Sequence, residues 1–273
     1  MRSVVRHDCL LLMTPGNSER PWWSPEALAA REREVRSGAG DESTDIRNDF
    51  ASYKALASGK DADASGLYMH NECEPWRIDT VCRDYDQVVR RVLGRAPHSV
   101  ADFGCGAGFT TDGLQRMWPS AATYGFDVSV DAIAFAQRRW PNCHFIAEAI
   151  ATDASLVGGP YDFVLCQEFY PFTRTGALQS HREWLRLVTR NLTTDGLAVI
   201  MVSAGTNESI NDTYETLRSE FPLRRVRVAN PRIARLLPFG LSRIVGVILQ
   251  LVKPAWVRNL YVLSGSTSHS RGS

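Results

Sequence analysis

The segment Val100-Ala101-Asp102-Phe103-Gly104-Cys105-Gly106-Ala107-Gly108 constrains the fold more than any other. A short apolar run ends in three glycines at alternate positions, and a stretch with helical periodicity follows. Glycine turns through positive φ without a Cβ penalty and lets a ligand approach the backbone closely. The helix behind such a turn points unbonded N–H groups at whatever occupies it. Strand, glycine turn and helix in this order open a βαβ unit.

The rest of the chain repeats that alternation. Apolar runs predict strands over 99–103, 122–126, 144–147, 162–166, 197–202 and 260–263, and a further strand is expected over about 223–229. The run 162–166 is nearly all apolar, as a strand covered on both faces must be. Helices are expected over 108–117, after a Ser129 cap, over 177–191, and to near 220 behind a Ser209–Asp212 capping box. Thr194-Asp195-Gly196 reads as a turn into the fifth strand. Ahead of the first strand, a helix over 74–93 gathers Ile78, Val81, Cys82, Tyr85, Val88, Val89 and Val92 on one face. Ser24-Pro25-Glu26 opens an earlier helix to about Arg36. Residues 37–45 read as a linker, 49–57 as a short helix and 59–65 as loop.

Asp127 follows Gly108 by nineteen residues and ends the second strand. A carboxylate there can accept the hydroxyl hydrogens of a ribose. After the third strand, Glu148 can accept from an adenine amino group and the Ala149 backbone can meet the ring. These positions fall at the carboxyl ends of neighbouring strands, where open α/β sheets bind ligands.

Asp102-Phe-Gly104-Cys-Gly106-Ala-Gly108 resembles the acid-x-G-x-G-x-G motif of class I S-adenosylmethionine-dependent methyltransferases. Residues 161–168, Tyr-Asp-Phe-Val-Leu-Cys-Gln-Glu, resemble the family's fourth-strand motif. The resemblance covers about 99–263. It implies an α/β Rossmann-like fold, a seven-stranded, mostly parallel sheet with helices on both faces and the last strand antiparallel. It also implies S-adenosyl-L-methionine as cofactor, wrapped at its methionine part by Gly104, Cys105, Gly106 and Gly108. Asp102 would help place the amino end. Asp127 would hold the ribose, and Val128, Glu148, Ala149 and Gln167 would complete the pocket. A nicotinamide-dependent oxidoreductase would need G-x-G-x-x-G, and Phe109 stands where its third glycine would fall. A non-catalytic binding protein remains the third reading.

Methyl transfer from a sulfonium is an in-line displacement, so the protein's task is alignment, with a base needed chiefly for oxygen acceptors. Candidate bases are Glu168, Tyr170, His181 and His70. Glu168 also reads as a structural carboxylate, and His181 as a surface histidine. Tyr170-Pro171-Phe172 is expected to wall the acceptor pocket. Many relatives carry histidine where Phe172 stands, which detaches this chain from that family base. No metal-ligand set is expected. The expected acceptor is a small molecule or glycan, with oxygen favoured. Nucleic acid is disfavoured because Glu168-Phe169-Tyr170-Pro171 departs from the Asn/Asp-Pro-Pro-aromatic segment of amino-directed nucleic-acid enzymes.

Charge is uneven. The net charge is +1, yet residues 221–273 hold nine basic side chains and no Asp or Glu. Residues 1–220 therefore carry 22 basic against 30 acidic groups. Within 231–256, Leu241, Ile244, Val245, Ile248, Leu249 and Val252 share a helical face that Val247 and Leu251 widen. Core packing, a pocket lid, a homodimer contact, and peripheral contact with a membrane or lipid-linked acceptor all fit that pattern. The six cysteines show no CxxC or zinc spacing, and no run of about 18 apolar residues exists. A cytoplasmic location, with a peripheral membrane option, follows as the expectation. The expected organisation is an N-terminal extension and helical cap over 1–73, a core over 74–265 with the insertion 231–256, and a tail over 266–273.

Overall fold

The computed structural model describes Tyr53, residues 74–150 and residues 155–265. Tyr53 apart, the expected N-terminal helices, linker, loop and His70 lie outside the described residues, as does the tail 266–273. Along the chain the elements are α1 (Pro75–Leu93), β1 (Ser99–Phe103), α2 (Phe109–Met117), β2 (Ala122–Asp127), α3 (Val130–Arg139) and β3 (His144–Ala147). Then come β4 (Tyr161–Gln167), α4 (Tyr170–Thr173), α5 (Leu178–Arg190), β5 (Leu192–Ser203), α6 (Ile210–Glu220) and β6 (Leu223–Ala229). The chain closes with α7 (Pro231–Ala234), α8 (Phe239–Val252), a 3-10 turn (Pro254–Trp256) and β7 (Val257–Ser264).

The strands form one seven-stranded sheet in the order β3-β2-β1-β4-β5-β7-β6. The pairs from β3 through β5 are parallel, and β7 runs antiparallel to both β5 and β6. The order reverses between β1 and β4, which opens a ligand crevice at their carboxyl ends. Alternation divides the sheet's side chains between two layers. Ala101, Phe103, Val164, Cys166, Ala198 and Ile200 join the core that includes Trp184 and Leu185 of α5 and Leu217 of α6. Val100, Phe163, Leu165, Leu197 and Val199 join the opposite core with Tyr85 of α1 and Leu114 of α2. This is why 163–166 is continuously apolar: every residue of it is buried, while Asp162 at its start pairs with Arg95 at 2.7 Å.

Local signals match their predicted roles. Ser129 Oγ accepts from Ala132 N–H at 3.2 Å to cap α3, and Ser209 and Asp212 form the capping box of α6. Two expectations need correction. The turn expected at 194–196 lies within β5, which starts at Leu192 and bonds to Tyr161 across an irregularity before resuming register at Phe163↔Leu197. A Cβ on Gly196 would lie 2.7 Å from the Tyr161 carbonyl oxygen, so backbone proximity, not a turn, uses that glycine. On α1, Val92 is exposed, whereas the same helix buries Asp84 and Asp86. Asp84 pairs with Arg258 of β7, and Asp86 accepts from Arg90 and from Trp118 Nε1.

Candidate functional site

The glycine turn leaves β1 and folds across the end of β2. Gly104 and Cys105 N–H both donate to the Phe126 carbonyl, at 2.8 and 3.1 Å. Gly104, Gly106 and Gly108 all take the left-handed region, with φ of 75°, 53° and 79°. Three alternate left-handed residues are tolerable only as glycine. Space makes the same demand. A Cβ on Gly104 would meet the Phe169 ring at 2.7 Å, and one on Gly108 would meet Phe145 at 2.6 Å. Trp140 Nε1 donates to the Ala107 carbonyl at 3.0 Å and braces the loop from α3.

Asp127 ties the loop to its surroundings. Its Oδ2 accepts from Gly106 N–H and its Oδ1 from Ser129 N–H, each at 2.8 Å. Glu148 N–H donates to the Asp127 carbonyl at 3.0 Å, which brings the third patch beside the second. Glu148 is exposed, while Val128 and Ala149 are half-buried. Gln167 ends β4 between two helices, accepting from Tyr85 Oη at 2.9 Å and donating to Thr110 Oγ1 at 3.3 Å. The structure thus brings the predicted cofactor residues together along the carboxyl ends of β1, β2, β3 and β4.

Asp102 sits deeper than its expected role suggests. It is 2% exposed, and its Oδ2 accepts from Thr111 Oγ1 at 2.7 Å, so it fixes the start of α2. Burial raises its pKa to about 7; the Thr111 hydrogen bond opposes this and the nearby Asp127 charge adds to it. Cys105 Sγ turns toward Gly125, and burial pushes its thiol well above the ordinary value.

The candidate bases divide. Glu168 takes φ 47°, a strained value for a side-chain-bearing residue, and its Oε1 accepts from Ser203 N–H at 3.0 Å. Its carboxylate therefore ties the end of β4 to the end of β5. Tyr170 is half-buried, with the Arg174 guanidinium 5.4 Å from its ring centre. Phe172 is fully buried among Trp184 and Leu185, so it belongs to the core and not to the pocket wall expected of it. His181 is not on the surface: it is 0% exposed, stacks on Phe172 and shares a 2.7 Å hydrogen bond with Thr213 Oγ1. Burial lowers its pKa to about 4, so the ring is neutral and enclosed at pH 7.

Tyr53 is a contributor that the sequence did not single out. Its ring packs with Ala107 and Phe109, and a Cβ on Gly106 would lie 2.5 Å from its hydroxyl. Only the expected short helix over 49–57 hinted at it; a lone tyrosine far from the motif carries no periodic signal.

Residues 100–194 match the family model described as a methyltransferase domain. This match, with the sheet order above, supports a methyltransferase domain of the class I S-adenosylmethionine-dependent type over this stretch. Among curated relatives, the trans-aconitate 2-methyltransferase of Rhodopseudomonas palustris (strain BisB5) is 38% identical over 73 residues, 27% of this chain and 28% of that protein. That of Yersinia pestis (strain Pestoides F) is 43% identical over 80 residues, 29% of each. The matched stretch thus spans less than a third of the length of these relatives. The plantazolicin methyltransferase BpumL, solved in complex with a pentazolic desmethylPZN analog and SAH, shares the fold at TM-score 0.51 and 15% identity, over 88% of this chain and 96% of that one.

Proposed function

We propose that this chain transfers the methyl group of S-adenosyl-L-methionine to a small-molecule or glycan acceptor, with oxygen favoured over nitrogen. The observation that supports it most is the glycine loop clasped by Asp127 within a matched methyltransferase domain. The residues suit such a cofactor. The three glycines turn the backbone through positive φ with no Cβ to hold a ligand off it, and the first turn of α2 offers backbone N–H donors. Asp127 is an acceptor-only carboxylate, matched to ribose hydroxyl donors. Gly104, Cys105, Gly106 and Gly108 would hold the methionine part, with Asp102 acting through Thr111. Val128, Glu148, Ala149 and Gln167 would frame the adenosine.

When bound, the cofactor supplies an electrophilic methyl carbon. The chain's share is to align the acceptor with it, and that alignment can be worth several kcal/mol, on the order of 7 or more in well-oriented cases. Tyr170 and Glu168 stand at the carboxyl end of β4, on the acceptor side of the crevice. Glu168 would receive an acceptor proton as a carboxylate that keeps lone pairs beyond the one used by Ser203 N–H, and Tyr170 would do so only as its phenolate. The enclosed His181 suits packing. Residues 1–73 are proposed as a cap, a reading supported by Tyr53 against the glycine loop. The relatives named for trans-aconitate favour a small oxygen-bearing acceptor over a macromolecule. Phe109 counts against a nicotinamide-dependent oxidoreductase.

Calorimetric titration with S-adenosylhomocysteine tests the cofactor. Binding by the wild type, with none for NADH, is the expected result; the reverse preference would sink the reading. Methyl transfer from labelled S-adenosylmethionine to a panel of organic acids and sugars then tests the acceptor class. Incorporation into amines alone would overturn the oxygen preference.

A further inference from the structure

The insertion between β6 and β7 turns its apolar side outward. Leu241, Ile244, Val247, Ile248, Leu251 and Val252 recur at three- and four-residue spacing along α8, and each is at least half exposed, Leu251 to 84%. The helix meets the protein through its small side instead. Ser242 and Gly246 are buried, and a Cβ on Gly246 would lie 2.9 Å from the Val228 carbonyl carbon of β6. Of the readings open to this segment, plain core packing is therefore contradicted for these six side chains. Leu236 before the helix and Trp256 after it are exposed as well. Such a contiguous patch is unusual on a surface that faces only water.

The charges around the ridge identify its occupant. Arg232, Arg235, Arg243 and Lys253 are all exposed on or beside α8, and no Asp or Glu occurs after residue 220. Lys253 lies 4.6 Å from the centre of the Trp256 ring, so the ridge ends in a cation and an indole, a pair suited to the headgroup level of a bilayer. A second copy of this chain would bring the same cations against one another in a symmetric contact. An anionic lipid surface neutralises them and buries the ridge together. Among the described residues no helix is long and apolar enough to cross a membrane, so the contact is one of lying on the surface.

We infer that α8 and its flanking cations dock this protein on the surface of an anionic bilayer. The placement has a consequence for access. The insertion leaves the carboxyl end of β6 and returns at the start of β7, where Ala229 pairs with Val257 and Ser203 with Arg258. That is the end of the sheet where the glycine turn and Asp127 lie, so docking through α8 brings the crevice end of the sheet toward the lipid headgroups. The docking claim stands independently of the methyl-transfer reading.

Sedimentation of the full chain with vesicles tests it, using phosphatidylcholine alone and phosphatidylcholine mixed with phosphatidylglycerol. The expected result is binding to the mixed vesicles, weakened by salt. A Val247→Asp/Leu251→Asp variant should bind about tenfold or more weakly, and Arg243→Glu/Lys253→Glu should lose the preference for anionic lipid. Both substitutions are on exposed side chains, and titration with S-adenosylhomocysteine, done in parallel, reports whether the crevice is intact. Wild type left in the supernatant overturns the inference, as do variants that sediment like wild type. A dimer in solution that Val247→Asp/Leu251→Asp dissociates also overturns it, in favour of a second copy. Monomeric wild type without vesicle binding overturns it in favour of cover by the chain's own residues 1–73.

Discussion

The Asp127 carboxylate accepts the Gly106 N–H at 2.8 Å, and through this bond the end of β2 sets the conformation of the turn that leaves β1. The same carboxylate accepts from Ser129, the residue that caps α3. One side chain thus couples loop, strand and helix. Asp127→Ala removes a charged acceptor from two backbone donors, a loss of about 1–3 kcal/mol for partly buried groups. Affinity for S-adenosylhomocysteine should fall at least about tenfold, one factor of ten per ~1.4 kcal/mol. Calorimetry beside a urea melt separates the two effects; unchanged affinity would remove Asp127 from the site.

Asp102 predicts a pH dependence. Its folded pKa of about 7 lies above the ordinary 3.8, because burial disfavours the charge. The folded state then binds the proton more tightly than the unfolded chain. Its stability contribution is full below about pH 4 and is lost as pH rises through 7. His181 runs the other way over nearly the same window: its pKa is lowered to about 4, so stability falls as pH drops from 6.5 toward 4. The wild-type profile sums the two, and the variant isolates one. Asp102→Asn should match wild type near pH 4 and exceed it by up to roughly 4 kcal/mol at pH 8, at about 1.4 kcal/mol per pKa unit. A stability difference independent of pH would refute the assignment.

The Asp84–Arg258 pair predicts a large and asymmetric loss. Asp84 is 0% exposed, and the Arg258 guanidinium also donates to the Ala229 carbonyl at 3.0 Å. This joins α1 to β7 and β6. Asp84→Ala leaves a buried guanidinium without its partner and should cost about 3–5 kcal/mol. Replacing both residues by apolar ones of similar size should recover much of that. Denaturant midpoints of the two single variants and the double variant give the answer; additive losses would mean the side chains act separately.

Two glycines make opposite predictions. Gly106→Ala forces a Cβ against the Tyr53 hydroxyl at a φ of 53°, and should cost about 1–2 kcal/mol of stability while abolishing cofactor-analogue binding. Gly240 lies in α8 with nothing within 4 Å of an added Cβ. Gly240→Ala should stabilise by about 0.4–1 kcal/mol, since the first-turn position accepts a Cβ and alanine narrows the unfolded ensemble. Thermal melts of both test the claim that backbone conformation, not glycine content, matters here.

Much of the fold was legible because its signals are local. The strands 144–147 and 223–229 have the bounds expected of them, and Ser209–Asp212 caps the helix it announces. The glycine turn and the Asp127 spacing mark the crevice in the sequence itself, since φ above zero and an acid at a strand end are properties of single positions. The burial of His181 and Phe172 was not legible. Nothing in the 177–191 pattern says that Thr213, 32 residues away, would meet the imidazole. The early start of β5 was missed for a similar reason: β4 supplies its hydrogen bonds, whatever the apolarity of 192–196.

By itself, then, the sequence determined the α/β alternation, the strand set and the glycine turn, because helix, strand and turn periodicities are written residue by residue. Tertiary structure alone decided which faces are covered. The apolar stripe of α8 invited burial, yet the helix approaches β6 through Gly246 and Ser242, where the backbones can come close, and leaves the stripe outside. Periodicity gives a helix its faces. Only the steric fit between neighbouring elements chooses the face that packs.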